Sequence, residues 1–270
     1  MFTVNEVWTN MLFRLTSSGK VISPRNMGTK ELLCFNTIVP MSNPLVTISS
    51  RNMSYKFALG EAWWILSGDD RVETIEPFNK NIAQFSDNGK TFFGAYGTKI
   101  VPQLPYVVDK LISDISSRQA LLTIWRESPP ASKDIPCTIC LQFIIREDTL
   151  NVIATMRSSD AWLGWVYDVF NFSMCGALVA IYLKNTYKNL TLGNLYLTAG
   201  SQHLYERNME KACKIMNGKI DHDFEYRPID FRDFNPVSFL HHLNKLTTCR
   251  DVNELQHEWL KELVIWRSSK

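Results

Sequence analysis

From Val169 to Leu183 the chain carries no charged residue. A helix that is apolar all round has to be buried, in a core or in a membrane. This stretch contains Asn171 and Ser173 and is shorter than the roughly 18 to 20 residues a membrane span needs. It therefore predicts a buried central helix, opening at Asp160 or just after it and running to Tyr182. The remaining sequence can supply the surrounding core, since 45% of the 270 residues are apolar.

Other segments follow from periodicity and breakers. Asn5 to Leu15 has helical apolar spacing, and Glu31 to Val39 and Leu45 to Ile48 read as strands. Met53 to Leu66 reads as a helix with Trp63, Trp64 and Leu66 inward, ended by Gly68-Asp69-Asp70. Pro105 to Ile115 is a second helix. Cys137 to Ile145 and Leu150 to Met156 are strands around the turn Arg146-Glu147-Asp148-Thr149. Leu192 to Leu197 is a further strand, followed by helices over Gln202 to Met216, Val237 to Leu246 and Val252 to Ile265. The order lacks a regular βαβ rhythm, which favours α+β over a doubly wound sheet. No repeat and no Gly/Ser- or Pro-rich linker divides the chain, so one domain is expected over 1–270.

A formal net charge of +2 gives no global case for binding a nucleic acid polymer, so any phosphate site rests on a few placed arginines. Six dispersed cysteines do not resemble a disulfide-stapled secreted domain, and the N-terminal residues show no signal-peptide pattern. The expectation is a cytoplasmic protein with reduced thiols and no membrane association.

Three local clusters carry chemistry. Cys137 lies in Ile135-Pro136-Cys137-Thr138-Ile139-Cys140; a thiolate there could act as a nucleophile. A small buried hydrophobe is the plainer alternative. A zinc site on Cys137 and Cys140 lacks a second pair and a nearby histidine, so no metal is expected. Arg157-Ser158-Ser159-Asp160, before Gly164, groups a guanidinium, hydroxyls and a carboxylate that could grip phosphate or simply face solvent. His203 and Tyr205, two apart in Gly200-Ser201-Gln202-His203-Leu204-Tyr205, could both reach one ligand hydroxyl if that segment is extended.

In this order, these clusters and three further segments resemble the thymidylate synthase superfamily, over about Arg25 to Asn208. The further segments are Glu61-Ala62-Trp63-Trp64-Ile65-Leu66-Ser67-Gly68, Gly94-Ala95-Tyr96-Gly97 and Ser117-Arg118. The family's strand P-C-x-x-x-x-Q-F stands as Pro136-Cys137 through Gln142-Phe143. The resemblance implies a single α+β domain with a mixed sheet flanked by helices, and homodimers packed sheet to sheet. Residues 1–216 would form the core and 217–270 a divergent helical region.

The resemblance also implies roles. Cys137 would attack C6 of a pyrimidine nucleoside monophosphate, and 5,10-methylenetetrahydrofolate, as co-substrate, would deliver one carbon to C5. Glu61 would handle protons and Tyr96 would assist proton removal from C5. Arg25, Arg157 and Ser158 would hold the 5′-phosphate, with Arg118 reaching the partner subunit's site. His203 and Tyr205 would bind the sugar, Asp168 and Gln142 the base, and Asp160 and Gly164 the folate.

The base-reading position is the most informative. The synthases carry Asn four residues after the motif glycine; here Asp168 follows Gly164 at that offset. A carboxylate can accept from the cytosine amine but cannot donate to uracil O4, and a mismatched buried polar group is costly. Asp168 thus points to cytosine, as in the phage deoxycytidylate hydroxymethylases this chain most resembles. The alternative is that Asp168 is a solvated or capping residue and Asn171 reads the base. Thr138 after the cysteine and Ser201 before His203 also depart from the synthases in that direction.

Gln119 replaces the family's second arginine, and 72–90 lacks the tryptophan usually set against the folate. The synthases' apolar C-terminal tail is not recognisable, although Val264, Ile265 and Trp266 could form another lid. The expectation is C5 hydroxymethylation of a cytidine monophosphate, dCMP above CMP. The competing readings are a dCMP methylase, a uridylate-specific enzyme, and a non-catalytic nucleotide- or RNA-binding relative.

Overall fold

The computed structural model describes residues 2–270. Six strands form one mixed sheet: β1 (Lys20–Ile22), β2 (Thr29–Pro40), β3 (Leu121–Thr123), β4 (Thr138–Arg146), β5 (Thr149–Asp160) and β6 (Thr191–Tyr205). Their order is β1-β2-β6-β5-β4-β3, with β5 and β6 parallel and every other pair antiparallel. The fold is α+β, as the element order suggests.

The central helix is α5 (Trp165–Leu183), and it lies where the charge-free stretch predicts. It is long and apolar enough to cross a membrane, but 83% of its apolar window is buried inside the protein. Trp165 is anchored to the sheet through its indole N–H, which donates to Thr37 Oγ1 at 3.1 Å. Around it stand α2 (Tyr55–Leu66), capped by Ser54, and α4 (Gly97–Ser113), while α1 (Val4–Ser18), started by a capping box between Thr3 and Glu6, packs on β2 and β6. A short α3 (Val72–Ile75) follows α2, and α6 (Glu206–Asn217) follows β6.

The sheet has a shared kink. In β5 the buried side is Leu150, Val152, Ala154 and Met156, then Ser159; in β6 it is Leu195, Leu197 and Ala199, then Gln202 and Leu204. Each strand inserts one residue into its alternation at the same level. Partners therefore stay matched: Met156 pairs with Ala199 and Ser159 with Gln202. Cys34, at φ 50°, marks that level in β2. Gly200 sits in the kink, where a Cβ would lie 3.0 Å from the Arg157 carbonyl. The kink re-aims Ser158, Asp160 and His203 relative to the rest of their strands.

The helices cover one face. On the other, Leu33, Ile38 and Tyr196 are exposed, and no helix packs over them among the described residues.

Several boundaries differ from expectation. Leu45 to Ile48 is not a strand; only Ile48 makes a bridge, to His222. Helix α4 begins at Gly97, well before Pro105, and runs through Pro102 and Pro105. Gln202 to Tyr205 is strand, so β6 carries His203 and Tyr205 and α6 starts at Glu206. The last helical prediction splits: α7 (Pro236–Thr248) forms, but Val252 to Ile265 gives only a 3-10 turn and α8 (Lys261–Ser268), separated at Leu260, whose φ is 61°. Val264 is buried, and Trp266 packs edge-on against Tyr55.

Candidate active site

A cavity of about 570 Å³ opens between α2, the segment before α4, the loop before β4 and the start of α5. Glu61, Tyr96, Cys137, Gly164 and Asp168, from four separate segments, all line it. A second cleft of about 680 Å³, at the start of α1 and residues 40–47 and 220–226, holds none of these groups.

Cys137 is the last residue before β4. Arg157 fixes its loop: the Arg157 amide donates to the Cys137 carbonyl at 2.8 Å, and the guanidinium donates to the carbonyls of Pro136 (2.9 Å) and Ile135 (3.0 Å). The same guanidinium reaches Ser158 Oγ at 3.1 Å, and Ser158 Oγ donates to the Cys137 sulfur at 3.6 Å. Burial pushes the Cys137 thiol above its usual range, while the Arg157 charge and the Ser158 hydroxyl pull it back. Tyr96 stands beside the cysteine. Its phenolic oxygen accepts from the Thr138 amide (3.3 Å) and hydroxyl (3.0 Å), and burial, with Asp168 and Cys137 nearby, raises its pKa strongly.

The floor is acidic. Burial lifts Glu61 to about 7, against the opposing hydrogen bond from Asn171 Nδ2 at 2.8 Å. Asp168, on the first turn of α5, is pushed well above the usual carboxylate range by burial and by the nearby charges of Glu61 and Asp160. Among the described residues no donor binds its carboxylate, whereas the Asn171 amide is spent on Glu61. Asp134 also faces the cavity and accepts from the Gly94 amide at 2.8 Å. The signal for Asp134 was only its place three residues before Cys137, which sequence reasoning passed over.

The opposite wall is apolar, with Phe78, Ile82, Phe85 and Phe92. Phe78, Ile82 and Phe85 belong to 72–90, the stretch that lacks a tryptophan. Phe78 lies directly over Gly60, where a Cβ would come within 2.5 Å of its ring. The aromatic wall facing carboxylates suits a flat, partly polar ring such as a pterin, so the cavity fits the folate the sequence implies.

The other expected residues lie outside this lining. Asp160 turns Oδ1 to the amides of Trp162 (2.8 Å) and Leu163 (3.2 Å), closing the turn behind Gly164. It pairs in register with His203, whose ring packs edge-on against Tyr205. Arg25, at φ 53°, lies in the loop leading to Thr29, which pairs with Tyr205. Arg118 is exposed. Gln142 is not brought to the cavity: the inward positions of β4 are Leu141, Phe143 and Ile145, and the Gln142 amide donates instead to the Arg118 carbonyl at 2.8 Å. Its expected role in base binding is withdrawn, because alternation turns it to the uncovered face. Val264, Ile265 and Trp266 do not line the cavity either, so they form no lid over it.

A family model described as thymidylate synthase matches residues 7–222. The deoxyuridylate hydroxymethyltransferase of Bacillus phage SP01 is 26% identical over 222 residues, 74% of this chain and 56% of the relative. That of Pseudomonas phage M6 is 30% identical over 177 residues, 62% and 49% of the two chains. A putative thymidylate synthase of Methanothermobacter marburgensis is 25% identical over 227 residues, 79% of this chain and 95% of the relative. The chain thus spans about half the length of the two phage relatives. With most of its length matched, the chain belongs to the thymidylate synthase family.

Proposed function

We propose that this chain hydroxymethylates a cytidine monophosphate, dCMP above CMP, at C5. The observation that carries this reading is the convergence of Cys137, Glu61, Tyr96 and Asp168 on one cavity. Methylenetetrahydrofolate, the co-substrate of the family, supplies the carbon when bound. The Cys137 sulfur adds to C6, leaving an electron pair at C5 that takes up this carbon. Tyr96 assists removal of the C5 proton as the bond between the transferred carbon and the folate nitrogen breaks, so that tetrahydrofolate leaves with a proton and an exocyclic methylene remains on C5. Water, ordered by Glu61, then adds to the exocyclic methylene carbon, and the sulfur leaves C6. Arg25, Arg157 and Ser158 hold the phosphate, and His203 and Tyr205 the sugar. Asp160 acts at the folate end of the site through the turn that carries Gly164.

Asp168 selects the base. An acceptor without a donor of its own matches the cytosine amine. The high proton affinity of Asp168 in the empty site also lets it share a proton with N3. A second reading is hydroxymethylation of dUMP, favoured by the names of the two phage relatives. In that reading a protonated Asp168 donates to uracil O4.

The uncovered sheet face, with Leu33, Ile38 and Tyr196 exposed, supports a homodimer packed sheet to sheet. In it the exposed Arg118 would reach the partner's phosphate site. Light scattering in solution tests this, and a monomer at micromolar concentration would remove the Arg118 role. The chemistry is tested with 5-fluoro-dCMP and methylenetetrahydrofolate. The protein should gain the mass of a covalent adduct, mapped to Cys137 and absent in Cys137→Ala. An unmodified protein would contradict the nucleophilic role.

A further inference from the structure

Asn171 is the least explained polar residue of the site. It is 3% exposed, on a helix whose other buried polar side chain, Ser173, is satisfied by the Val169 carbonyl at 2.7 Å. Its Nδ2 donates to Glu61 Oε2 at 2.8 Å, and its Oδ1 is buried with no hydrogen-bond partner. A buried acceptor left unpaired is costly. A leucine would fill the space without that cost, so packing alone does not account for an amide here. Asn171 lies one helical turn beyond Asp168, so both lie on the same side of α5, and Asn171 is the group that contacts Glu61.

We propose that Asn171 is a positioning residue: its amide holds the Glu61 carboxylate at the cavity wall and favours its charged form. This deepens the reading of Glu61 as the proton-handling group and rests on it. Without the amide, the charged form of Glu61 loses its hydrogen bond and faces an acidic neighbourhood alone. Asp168 and Tyr167 face the same space from α5, as do Tyr96 at the start of α4 and Asp134 and Cys137 before β4. Behind α2, His242 of α7 is turned to the Trp259 carbonyl. Among the described residues no cation lines the cavity to take over the role of the amide.

The test is the titration of Glu61 in the nucleotide-free protein, followed by carbon NMR of labelled glutamate and assigned with Glu61→Gln. Asn171→Leu should move the Glu61 midpoint up by roughly one unit, the worth of one hydrogen bond to a charged group. Asn171→Asp keeps the volume and sets a carboxyl group opposite Glu61, so it should move the midpoint further and serves if the leucine variant does not fold. In turnover, the limb of the kcat profile that follows Glu61 should shift by the same amount, with KM for the nucleotide little changed. An unmoved midpoint in Asn171→Asp would overturn the proposal, whatever the loss of activity. The NMR titration needs no turnover. A shifted midpoint in a protein inactive on every pyrimidine monophosphate would therefore keep the Asn171 role and reject the assigned reaction.

Discussion

Ser158 donates a hydrogen bond to the Cys137 sulfur at 3.6 Å, while Arg157, one residue before it, holds the carbonyls of Ile135 and Pro136. The dipeptide thus acts twice on the nucleophile: it fixes the backbone that carries it and offsets the burial that disfavours a thiolate. Removing the hydroxyl should raise the thiol pKa further. Ser158→Ala is expected to slow alkylation of Cys137 by iodoacetamide at pH 8 by roughly fivefold, about 1 kcal/mol. Peptide mapping separates this site from Cys34, which is exposed. An unchanged rate would show that the contact does not tune the sulfur.

Arg157 uses all three guanidinium nitrogens on the protein, through Nε, Nη1 and Nη2. A lysine keeps the charge but cannot hold this fork. Arg157→Lys should therefore lower kcat/KM at least tenfold and also slow Cys137 alkylation without nucleotide. If only KM changed, Arg157 would be a phosphate ligand with no part in shaping the Cys137 loop.

Glu61 and Asp168 bind protons more tightly in the folded chain than when unfolded. The Glu61 contribution is therefore most favourable below its unfolded value near 4.5 and is lost as pH rises through about 7. Glu61→Gln should abolish or severely reduce turnover yet melt higher than the parent at pH 8. The gain, of order 2 kcal/mol, corresponds to roughly 3–5 °C. At pH 4.5 the two should melt together. No gain at pH 8 would mean that the carboxylate is well solvated in the empty site.

The sequence made the central helix legible because no other placement suits fifteen uncharged residues at 169–183. Of the cavity lining, Glu61, Tyr96, Cys137, Gly164 and Asp168 were legible through the motifs that resemble the family, whereas Asp134 and the aromatic wall were not. What it hid was set by long-range pairing. Gln202 to Tyr205 has helix-compatible residues, but pairing with Thr29 to Leu32 on one side and Ser159 and Asp160 on the other holds it extended. Gln142 looked like part of the nucleophile's motif, yet which face it takes depends on the bulge at Thr138 and Cys140. The break at Leu260 has no glycine or proline to announce it. The Asn171–Glu61 contact joins residues 110 apart in sequence, beyond the reach of any local pattern.

The choice of base rests on Asp168, and a competition assay tests it most directly. Equimolar dCMP and dUMP are incubated with the protein and methylenetetrahydrofolate, and the products are identified by mass. The parent should form 5-hydroxymethyl-dCMP with tetrahydrofolate, and Asp168→Asn should shift the preference towards dUMP. Exclusive hydroxymethylation of dUMP by the parent, or methyl-dCMP formed together with dihydrofolate, would contradict the account.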